Sequence, residues 1–426
     1  MKILVVTANY PPYHSGGYGI RLKNIMDELS TRGHLILCIT TKPGGRTRQT
    51  PKLPSYPILR SLHPKLSAHQ WLSRMTLRNW TYPIGIFLIF IRELYLDLVD
   101  LNLVEKQIKE FQPDIIYLGH TVILSKSLLP FLADQSVPLV YDEGGSGIID
   151  AWDEKGVWYK FIDGFRSRIE FINSIKSLLI KFIVVLSRNR LKQEWKWPTN
   201  MQVFFNSHLN QKNALEKKLS IGKSEVIHSG LDLRKFNFVP REIPTSKITI
   251  ITPGRFEPRK GQLDAIRLLA SLTEKGLDAS LILVGEKKDE RYYDQVLMEI
   301  RTRDLSEFVT ILPMVNRIEL IHLYQRSDIC FFSSSFRTGF SRIPQEAMAC
   351  GSVVITYGNE GSDEIIRDGY NGFIVKSGDY SGIVNRFIGL MEDPKLFKSI
   401  TEQARKDIEE KYSMQKYVDC IEKKIL

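Results

Sequence analysis

Short apolar runs alternate with helix-forming stretches over the second half of this 426-residue chain. The predicted strands are 248–251, 279–284, 309–312, 329–332 and 353–356, and the predicted helices between them include 262–275, 292–303 and 317–325. Because the strand-like runs are almost continuously apolar, each strand is expected to be buried on both faces. Strands and helices that alternate in this way form a parallel sheet covered by helices on both sides. The sequence therefore predicts an α/β fold.

The first half follows the same pattern with more interruptions. Strands are predicted at 2–8, 35–40, 114–118 and 139–141 and in two stretches that end at Ser187 and Ser207, and helices at 20–32, 84–110 and 123–134. Residues 41–80 are rich in Pro, Arg and Lys, which predicts an insertion or a mobile loop. The charged, Pro-containing stretch 237–247 is predicted to be a linker. We therefore expect two Rossmann-like domains, 1–236 and 248–405, followed by a helix at 406–426.

The cysteines, the N-terminal residues and the longest apolar run indicate the cellular compartment in which the protein is expected. The four cysteines show no paired spacing of the kind found in metal sites or disulfide frameworks, which favours a reducing compartment. Residues 1–7 are too short for a signal peptide and lack a small-residue cleavage site, so they are predicted to form the first strand. The longest apolar run, 82–91, contains Pro83 and Gly85 and is too short to cross a bilayer. We therefore predict a cytoplasmic protein.

The chain carries a net charge of +11 that is unevenly distributed, with +9 on residues 1–205 and +2 on the rest. A basic first half predicts an anionic partner, such as lipid headgroups, a pyrophosphate-linked lipid or nucleic acid. Residues 155–181 interleave Lys and Arg with aromatic residues, a pattern typical of helices that lie on membrane surfaces. A surface helix with its apolar face in the core is the alternative. Nucleic acid is the least favoured partner, because no known binding module is recognisable.

The segment between the predicted strand 329–332 and a helix that begins near Pro344 has the features of an anion site. Gly339 provides a turn, and free backbone N–H groups at the helix start would face a phosphate whose charge the helix dipole favours. Those N–H groups belong to Phe340, Ser341 and Arg342. Glu346 would lie on the first turns of the helix, where its carboxylate could accept hydrogen bonds from sugar hydroxyls. The alternative is a buried helix start with a structural glutamate.

Residues 338–351 resemble the nucleotide-sugar loop of retaining glycosyltransferases of family 4. The family's pattern is Glu, seven residues, Glu and then Ala-Met-Ala-x-Gly. This chain keeps Glu346 and the run Ala347–Gly351, and it has Thr338 at the place of the first Glu. In the family the first carboxylate contacts the donor sugar and the second binds ribose. The resemblance implies ribose binding by Glu346 and the GT-B fold, in which the parallel sheets of two Rossmann-like domains face a central cleft.

Other segments resemble the same family. Residues 254–261 follow a predicted strand and open a helix, and the family has Gly-Arg, a short gap and Lys-Gly at this place. The resemblance implies that Arg255 and Lys260 neutralise the nucleotide diphosphate as the sugar–phosphate bond breaks. The Tyr-Pro-Pro run at 10–12, with the glycines that follow it, resembles the family's first loop, which lies over the donor phosphates; a plain strand–helix turn is the alternative. In the family the C-terminal end crosses back, so residues 406–426 are expected to return to the first domain.

The resemblance also assigns candidate roles at the strand ends of the first domain. His120 follows a predicted strand, and in the family a histidine near this edge approaches the transferred sugar; a structural role is the alternative. Asp142 and Glu143 follow another strand and are expected to bind acceptor hydroxyls or to cap the next helix. The candidate catalytic residues are Arg255, Lys260, Glu346 and His120. The candidate donor-binding residues are Gly16, Gly17, Gly254, Gly285, Met314, Thr338, Gly339, Phe340, Ser341 and Arg342, and the acceptor-side residues are Tyr13, Asp142 and Glu143.

The resemblance implies a retaining glycosyltransferase that moves a sugar from a nucleotide-diphosphate sugar to a glycan or lipid-linked acceptor, in polysaccharide or glycoconjugate biosynthesis. No Asp-x-Asp metal motif stands out, so we expect a metal-independent enzyme without a cofactor beyond its co-substrate. The expected location is cytoplasmic, peripheral at the inner face of the membrane. Two alternatives stay open. One is a catalytically weakened nucleotide-sugar-binding subunit of a glycosyltransferase complex, which Thr338 favours, and the other is a GT-B nucleotide-sugar epimerase.

Overall fold

The computed structural model describes residues 1–12, 17–42, 54–64, 82–121, 123–125, 127–144, 201–217, 221–241, 247–336 and 339–426, with a few single positions between 174 and 187. Side chains are described for all of these except residues 82–90. The chain divides into two compact units. The first unit comprises residues 1–206, 210–226 and 422–426, and the second unit comprises residues 207–209 and 227–421. Each unit contains its own sheet.

The first unit contains a seven-stranded sheet in which every described strand pair is parallel. Its strands are β1 (Lys2–Thr7), β2 (Leu35–Thr41), β3 (Ile58–Leu62), β4 (Ile115–Leu118), β5 (Leu139–Glu143), β6 (Met201–Phe205) and β7 (Lys223–Val226). The helices in this part of the sequence are α1 (Gly17–Thr31), α2 (Tyr82–Phe111), α3 (Leu128–Ala133) and α4 (His208–Glu216). The strand order β3-β2-β1-β4-β5-β6-β7 reverses direction between β1 and β4. Ligands of open α/β sheets bind at the carboxyl ends of the strands beside such a reversal.

The second unit contains a six-stranded parallel sheet with the same kind of order. Its strands are β8 (Ile248–Pro253), β9 (Ala279–Val284), β10 (Val309–Leu312), β11 (Ile329–Phe332), β12 (Val353–Thr356) and β13 (Phe373–Ile374). The helices are α5 (Gln262–Glu274), α6 (Glu290–Thr302), α7 (Arg317–Arg326), α8 (Arg342–Cys350), α9 (Tyr380–Glu392), α10 (Pro394–Lys411) and α11 (Met414–Ile425). The order β10-β9-β8-β11-β12-β13 reverses between β8 and β11. The loops after β8 and β11 therefore flank the expected ligand position.

The sheet of the second unit is buried on both faces. Ile250 and Phe331 pack into a cluster that includes apolar residues of α5 and α9. Their sequence neighbours Ile251 and Phe332 pack into another cluster, which includes residues of α7 and α8. Since successive side chains of a strand point to opposite faces, helices cover both sides of the sheet. The predicted α/β fold, with two Rossmann-like parallel-sheet units, is confirmed.

Side-chain caps fix where two helices of the second unit begin. Asn316 caps α7: its Oδ1 accepts a hydrogen bond from the N–H of Glu319 (3.0 Å), and the Glu319 carboxylate accepts one from the N–H of Asn316 (3.1 Å). Ser341 caps α8, and its hydroxyl accepts a hydrogen bond from the N–H of Ile343. Such caps satisfy N–H groups that have no partner within the helix. The two capped helices therefore begin at the residue after the cap, which is Arg317 in α7 and Arg342 in α8.

Two predictions in the first half were wrong in extent. The segment 41–80 is not only an insertion, because β3 adds a strand to the edge of the sheet by pairing with β2. The predicted helix 123–134 is confined to α3. A separate turn, in which the N–H of Leu124 donates to the carbonyl of Thr121, precedes it. In both cases tertiary pairing or turn formation outweighs local composition.

The stretch that ends at Ser187 was predicted to be extended, which was also wrong. Residues 181–183 are helical, and the N–H of Ser187 donates to the carbonyl of Ile183 (2.9 Å). A short run of branched apolar residues fits a strand or a buried helix equally well, so the pattern alone could not decide. The basic stretch 155–181 lies almost wholly outside the described residues. None of the described helices is both long enough and apolar enough to cross a bilayer.

Candidate active site

The loops after β8 and β11 are pressed together in the second unit. Gly261 has a φ of +71°, and a Cβ at this position would overlap with the carbonyl oxygen of Ser333. The Ser333 hydroxyl donates to the carbonyl oxygen of Gly261 (2.9 Å). Only glycine combines this left-handed backbone with so close an approach. The contact brings the loop that carries Lys260 against the start of the loop that continues to α8.

The two predicted cations of this loop, Arg255 and Lys260, and the neighbouring Arg259 are all paired with carboxylates. Lys260 Nζ lies 2.6 Å from Glu360 Oε1, and its side chain is only 15 % exposed. Arg255 Nη2 and Arg259 Nε lie 3.1 Å and 3.0 Å from the same oxygen, Glu257 Oε1. The arginine side chains are 45 % and 38 % exposed, so these surface pairs contribute little stability and their guanidinium groups can reorient toward a ligand.

Glu360 was not among the residues predicted from the sequence. Its backbone is in the left-handed region (φ +52°), which is uncommon for a residue with a Cβ. Besides the ion pair with Lys260, its Oε1 accepts a hydrogen bond from the Ser334 hydroxyl (2.5 Å), and the residue is buried. Its position in the loop directly after β12, at the carboxyl edge of the sheet, was the available signal.

Glu346 lies inside a buried network. Its carboxylate pairs with the first residue of α7, Arg317, and Oε1 lies 3.3 Å from Nε of Arg342. The Tyr324 hydroxyl donates to Oε2 (3.3 Å), and Glu346 is 2 % exposed. Burial alone would lower the pKa of Arg317, but the adjacent Glu346 carboxylate outweighs burial and raises it. The Arg317 guanidinium stacks over the ring of Phe236 (5.1 Å). The Arg317 side chain is 41 % exposed, so it is the part of this buried network that solvent can reach.

One detail of the predicted anion site was wrong. The N–H of Ser341 is not free, because it donates to the carbonyl oxygen of Glu360 (2.8 Å). Gly339 supplies the expected turn, with φ +103°. Phe340 packs beneath Gly361, where a Cβ would approach the ring to 2.6 Å, and its ring lies 5.1 Å from that of His228. The described part of the loop is therefore anchored to the segment after β12.

Of the other predicted site residues, Gly254, Gly285 and Met314 lie at this edge of the sheet, and Gly17 belongs to the other unit. Gly285 follows β9, and a Cβ there would overlap with the carbonyl oxygen of Gly254 at the end of β8. Met314 follows β10 and is 69 % exposed. Gly17 is the first residue of α1, in the first unit. Tyr13, Gly16 and Thr338 lie outside the described residues.

One group among the described residues has the spacing of a metal site: His208, His228 and Glu364, whose ligand atoms lie within 4.8 Å of one another. The Glu364 carboxylate already contacts His228 Nε2 (2.7 Å) and accepts hydrogen bonds from the N–H groups of His208 and Leu209. Burial would raise the pKa of Glu364, but these hydrogen bonds hold it below its ordinary value. We interpret the group as a hydrogen-bonded network.

In the first unit His120 lies where the sheet order reverses. It follows β4, and its carbonyl oxygen accepts a hydrogen bond from the N–H of Ala8 (2.7 Å), which follows β1. Its Nδ1 lies 3.4 Å from Nδ2 of Asn9, and its ring is 5.2 Å from that of Tyr18. Burial, and to a smaller extent the guanidinium of Arg21, lowers the pKa of His120. The imidazole is therefore neutral near pH 7 and can accept the amide hydrogen bond.

The predicted acceptor-side carboxylates are the last two residues of β5. Asp142 is 2 % exposed and Glu143 is 3 % exposed. Asp142 Oδ1 pairs with Arg21 (2.7 Å), and its carbonyl oxygen accepts a hydrogen bond from Tyr18 (2.5 Å). Burial raises the pKa of Asp142 in spite of this arginine. Asp142 therefore holds α1 against β5 in this structure, and the residues that it was alternatively predicted to cap lie outside the described part of the chain.

One family model matches the second half of the chain, and individual relatives match nearly all of it. Residues 234–407 match the model of the family Glycosyl transferases group 1. The chain is 20 % identical over 421 residues to glycogen synthase of Mycobacterium tuberculosis, covering 97 % of this chain and 92 % of the relative. The fold is similar to that of a glycosyltransferase from Rickettsia africae (TM-score 0.68, 18 % identity, 100 % and 97 % covered). It is also similar to Anabaena HepE in complex with UDP and glucose (TM-score 0.62, 17 % identity, 100 % and 99 % covered).

The lowered pKa of His120 predicts a pH effect on stability. An unfolded histidine takes up a proton near pH 6.5, whereas folded His120 does so only at lower pH. As the pH falls below about 6.5, the unfolded state binds more protons and the free energy of unfolding decreases. His120→Gln should therefore lose less stability than the wild type between about pH 7.5 and pH 5.5. Urea denaturation at both pH values measures this.

The exposed His322 provides a matched control. His322→Gln should lose as much stability over the same pH interval as the wild type. Equal losses in the wild type and in His120→Gln would show that the partly buried imidazole does not contribute to the pH dependence of stability.

Proposed function

We propose that this protein, a glycosyltransferase whose residues 234–407 match group 1 of that enzyme class, transfers a sugar with retention of configuration. The donor is a nucleotide-diphosphate sugar, and the acceptor is a glycan or a lipid-linked glycan. The position of Lys260 and Arg255 is the observation that supports a donor site in the second unit. Both lie in the loop after β8, beside the reversal of strand order and inside the matched segment. Ligands of open parallel sheets bind at this place.

The chemistry explains why cations are needed there. When the bond between the sugar and the diphosphate breaks, negative charge develops on the leaving diphosphate, and fixed positive charge lowers the barrier. The side chain of Lys260 is only 15 % exposed, so the attraction of its compact ammonium for a phosphate oxygen is weakly screened. Arg255 is the more exposed cation, and its planar guanidinium can bind two oxygens at once.

In the donor complex we propose that Glu346 binds the ribose. Its oxygens are occupied by Arg317, Arg342 and Tyr324 without donor, so a ribose hydroxyl must replace one of these contacts. Arg317 is the partner best placed to move, because its side chain is 41 % exposed. In this proposal Arg317, which the sequence did not reveal, sets how readily the nucleoside is accepted.

We also propose that no divalent metal is required. The positive charge that a metal would contribute comes from Lys260, Arg255 and Arg259. In a retaining reaction of this kind the leaving phosphate oxygen can take the proton of the acceptor hydroxyl, so a protein base is not demanded. His120, whose imidazole is neutral near pH 7, is proposed to act as a hydrogen-bonding group of the first unit.

Two observations favour a second candidate, a subunit that binds the donor without turning it over. Thr338 stands where the related family has a sugar-contacting carboxylate. Lys260 is held by Glu360 at 2.6 Å and is not free in this structure. Donor binding without product would support this candidate. A changed sugar after incubation with donor alone would support an epimerase.

Replacing Lys260 tests the enzyme hypothesis. Lys260→Ala should lower turnover of the preferred donor about 100-fold or more, because one fixed positive charge at the leaving group is lost. Release of nucleoside diphosphate is measured with UDP-, GDP- and ADP-sugars and a glycan acceptor, with and without a chelator. UDP-glucose is a natural first donor, since UDP and glucose occupy the Anabaena structure.

Lys275→Ala is the control, because Lys275 is an exposed residue that follows α5. It should retain wild-type turnover. Equal activity of Lys260→Ala and Lys275→Ala would contradict the proposed site, and loss of activity on chelation would contradict metal independence.

The basic first half motivates a peripheral location at the cytoplasmic membrane surface. Residues 1–205 carry a charge of +9, which attracts anionic lipid headgroups. In a flotation assay at low salt, the protein should rise with vesicles that contain phosphatidylglycerol and remain at the bottom with phosphatidylcholine vesicles. Salt should reverse the binding, because the attraction is electrostatic. Equal flotation with both lipids, or none with either, contradicts this location.

A further inference from the structure

Glu360 is a buried residue whose backbone adopts a conformation that is unfavourable for a residue with a Cβ. It is 6 % exposed and has a φ of +52°, and the next residue, Gly361, is also left-handed at +72°. Glycine adopts this conformation freely, whereas a residue with a Cβ adopts it only where its surroundings enforce it. A side chain kept at such a position is often functional.

Three contacts hold Glu360 in this left-handed conformation. The carboxylate oxygen Oε1 pairs with Lys260 Nζ (2.6 Å) and accepts a hydrogen bond from the Ser334 hydroxyl (2.5 Å). The carbonyl oxygen accepts a hydrogen bond from the N–H of Ser341 (2.8 Å). The carboxylate of Glu360 thus lies directly on the cation that is expected to bind the diphosphate.

Glu360 also lies against both described ends of the loop that contains position 338. Ser334 precedes residues 337–338, and Ser341 follows them. The carbonyl oxygen of Gly339 lies 3.4 Å from where a Cβ of Gly361 would be. Position 338 is Thr, where the family resemblance implies a carboxylate that contacts the donor sugar, and Glu360 is a buried carboxylate beside the same loop.

We propose that Glu360 is the carboxylate that contacts the donor sugar and determines which sugar is accepted. This inference rests on the proposed function. Without donor, Glu360 neutralises Lys260. When a nucleotide-diphosphate sugar binds, a phosphate oxygen replaces Glu360 as the partner of Lys260, and the released carboxylate accepts hydrogen bonds from hydroxyls of the sugar.

If Glu360 had a purely structural role, its loss would change the affinities for a nucleoside diphosphate and for a nucleotide sugar together. If Glu360 contacts the sugar, its loss changes the two affinities differently. A free nucleoside diphosphate gains nothing from Glu360 and is repelled by its charge, whereas a nucleotide sugar gains hydrogen bonds to it. Glu360→Gln removes the charge and keeps the shape. Glu360→Gly removes the side chain and relaxes the left-handed backbone, so a loss of binding in this variant does not come from backbone strain.

The experiment measures dissociation constants by calorimetry for the preferred nucleoside diphosphate and for its sugar. Relative to the wild type, both variants should bind the nucleotide sugar at least 10-fold more weakly and the free diphosphate as tightly or more tightly. Both variants should also discriminate less between donor sugars in kcat/KM. Glu402→Gln is the control for the charge change, because Glu402 is an exposed residue of α10, and its two affinities should equal those of the wild type.

If the two affinities fall by the same factor in the Glu360 variants, Glu360 only supports Lys260 and the inference is overturned. If neither affinity changes, it is overturned as well. If the wild type binds none of UDP, GDP, ADP or their sugars, the proposed function itself fails, and this outcome is distinguishable because it appears before any variant is tested.

Discussion

The ion pair between Lys260 and Glu360 is the interaction on which the candidate site of the second unit depends. It joins the loop after β8 to the loop after β12, and the hydroxyl of Ser334 adds the loop after β11 to the same carboxylate. Those three strands are neighbours in the sheet, so their carboxyl ends deliver the three loops to one place. A lysine that is 15 % exposed would be costly without this partner.

The site holds its charges in pairs until a ligand arrives. Besides Lys260 with Glu360, Arg255 and Arg259 share Glu257, and Glu346 binds Arg317. The pair with Glu360 orients the ammonium of Lys260, whereas the exposed guanidinium groups of Arg255 and Arg259 can reorient. In the proposed donor complex the diphosphate and its ribose exchange these contacts for their own, so that binding replaces charge pairs and does not fill a bare pocket. Affinity then depends on the difference between two sets of interactions.

Sequence reasoning found what local patterns encode. The apolar alternation predicted five of the six strands of the second unit, and the resemblance of residues 254–261 to a family motif pointed to Arg255 and Lys260. It missed Glu360, which lies 100 residues beyond Lys260, and Arg317, which lies 29 residues before Glu346. No local pattern marks such long-range pairs. It predicted that Asp142 binds an acceptor hydroxyl or caps a helix, and it could not reveal the ion pair with Arg21, because that pair depends on how α1 packs on β5.

A crystal structure of the protein with a bound nucleoside diphosphate tests the proposed site most directly. We expect a phosphate oxygen within about 3.2 Å of Lys260 Nζ, with Glu360 displaced from that nitrogen and Arg255 turned toward the diphosphate. A diphosphate bound away from the loop after β8, with the pair between Lys260 and Glu360 unchanged, would contradict the proposed site.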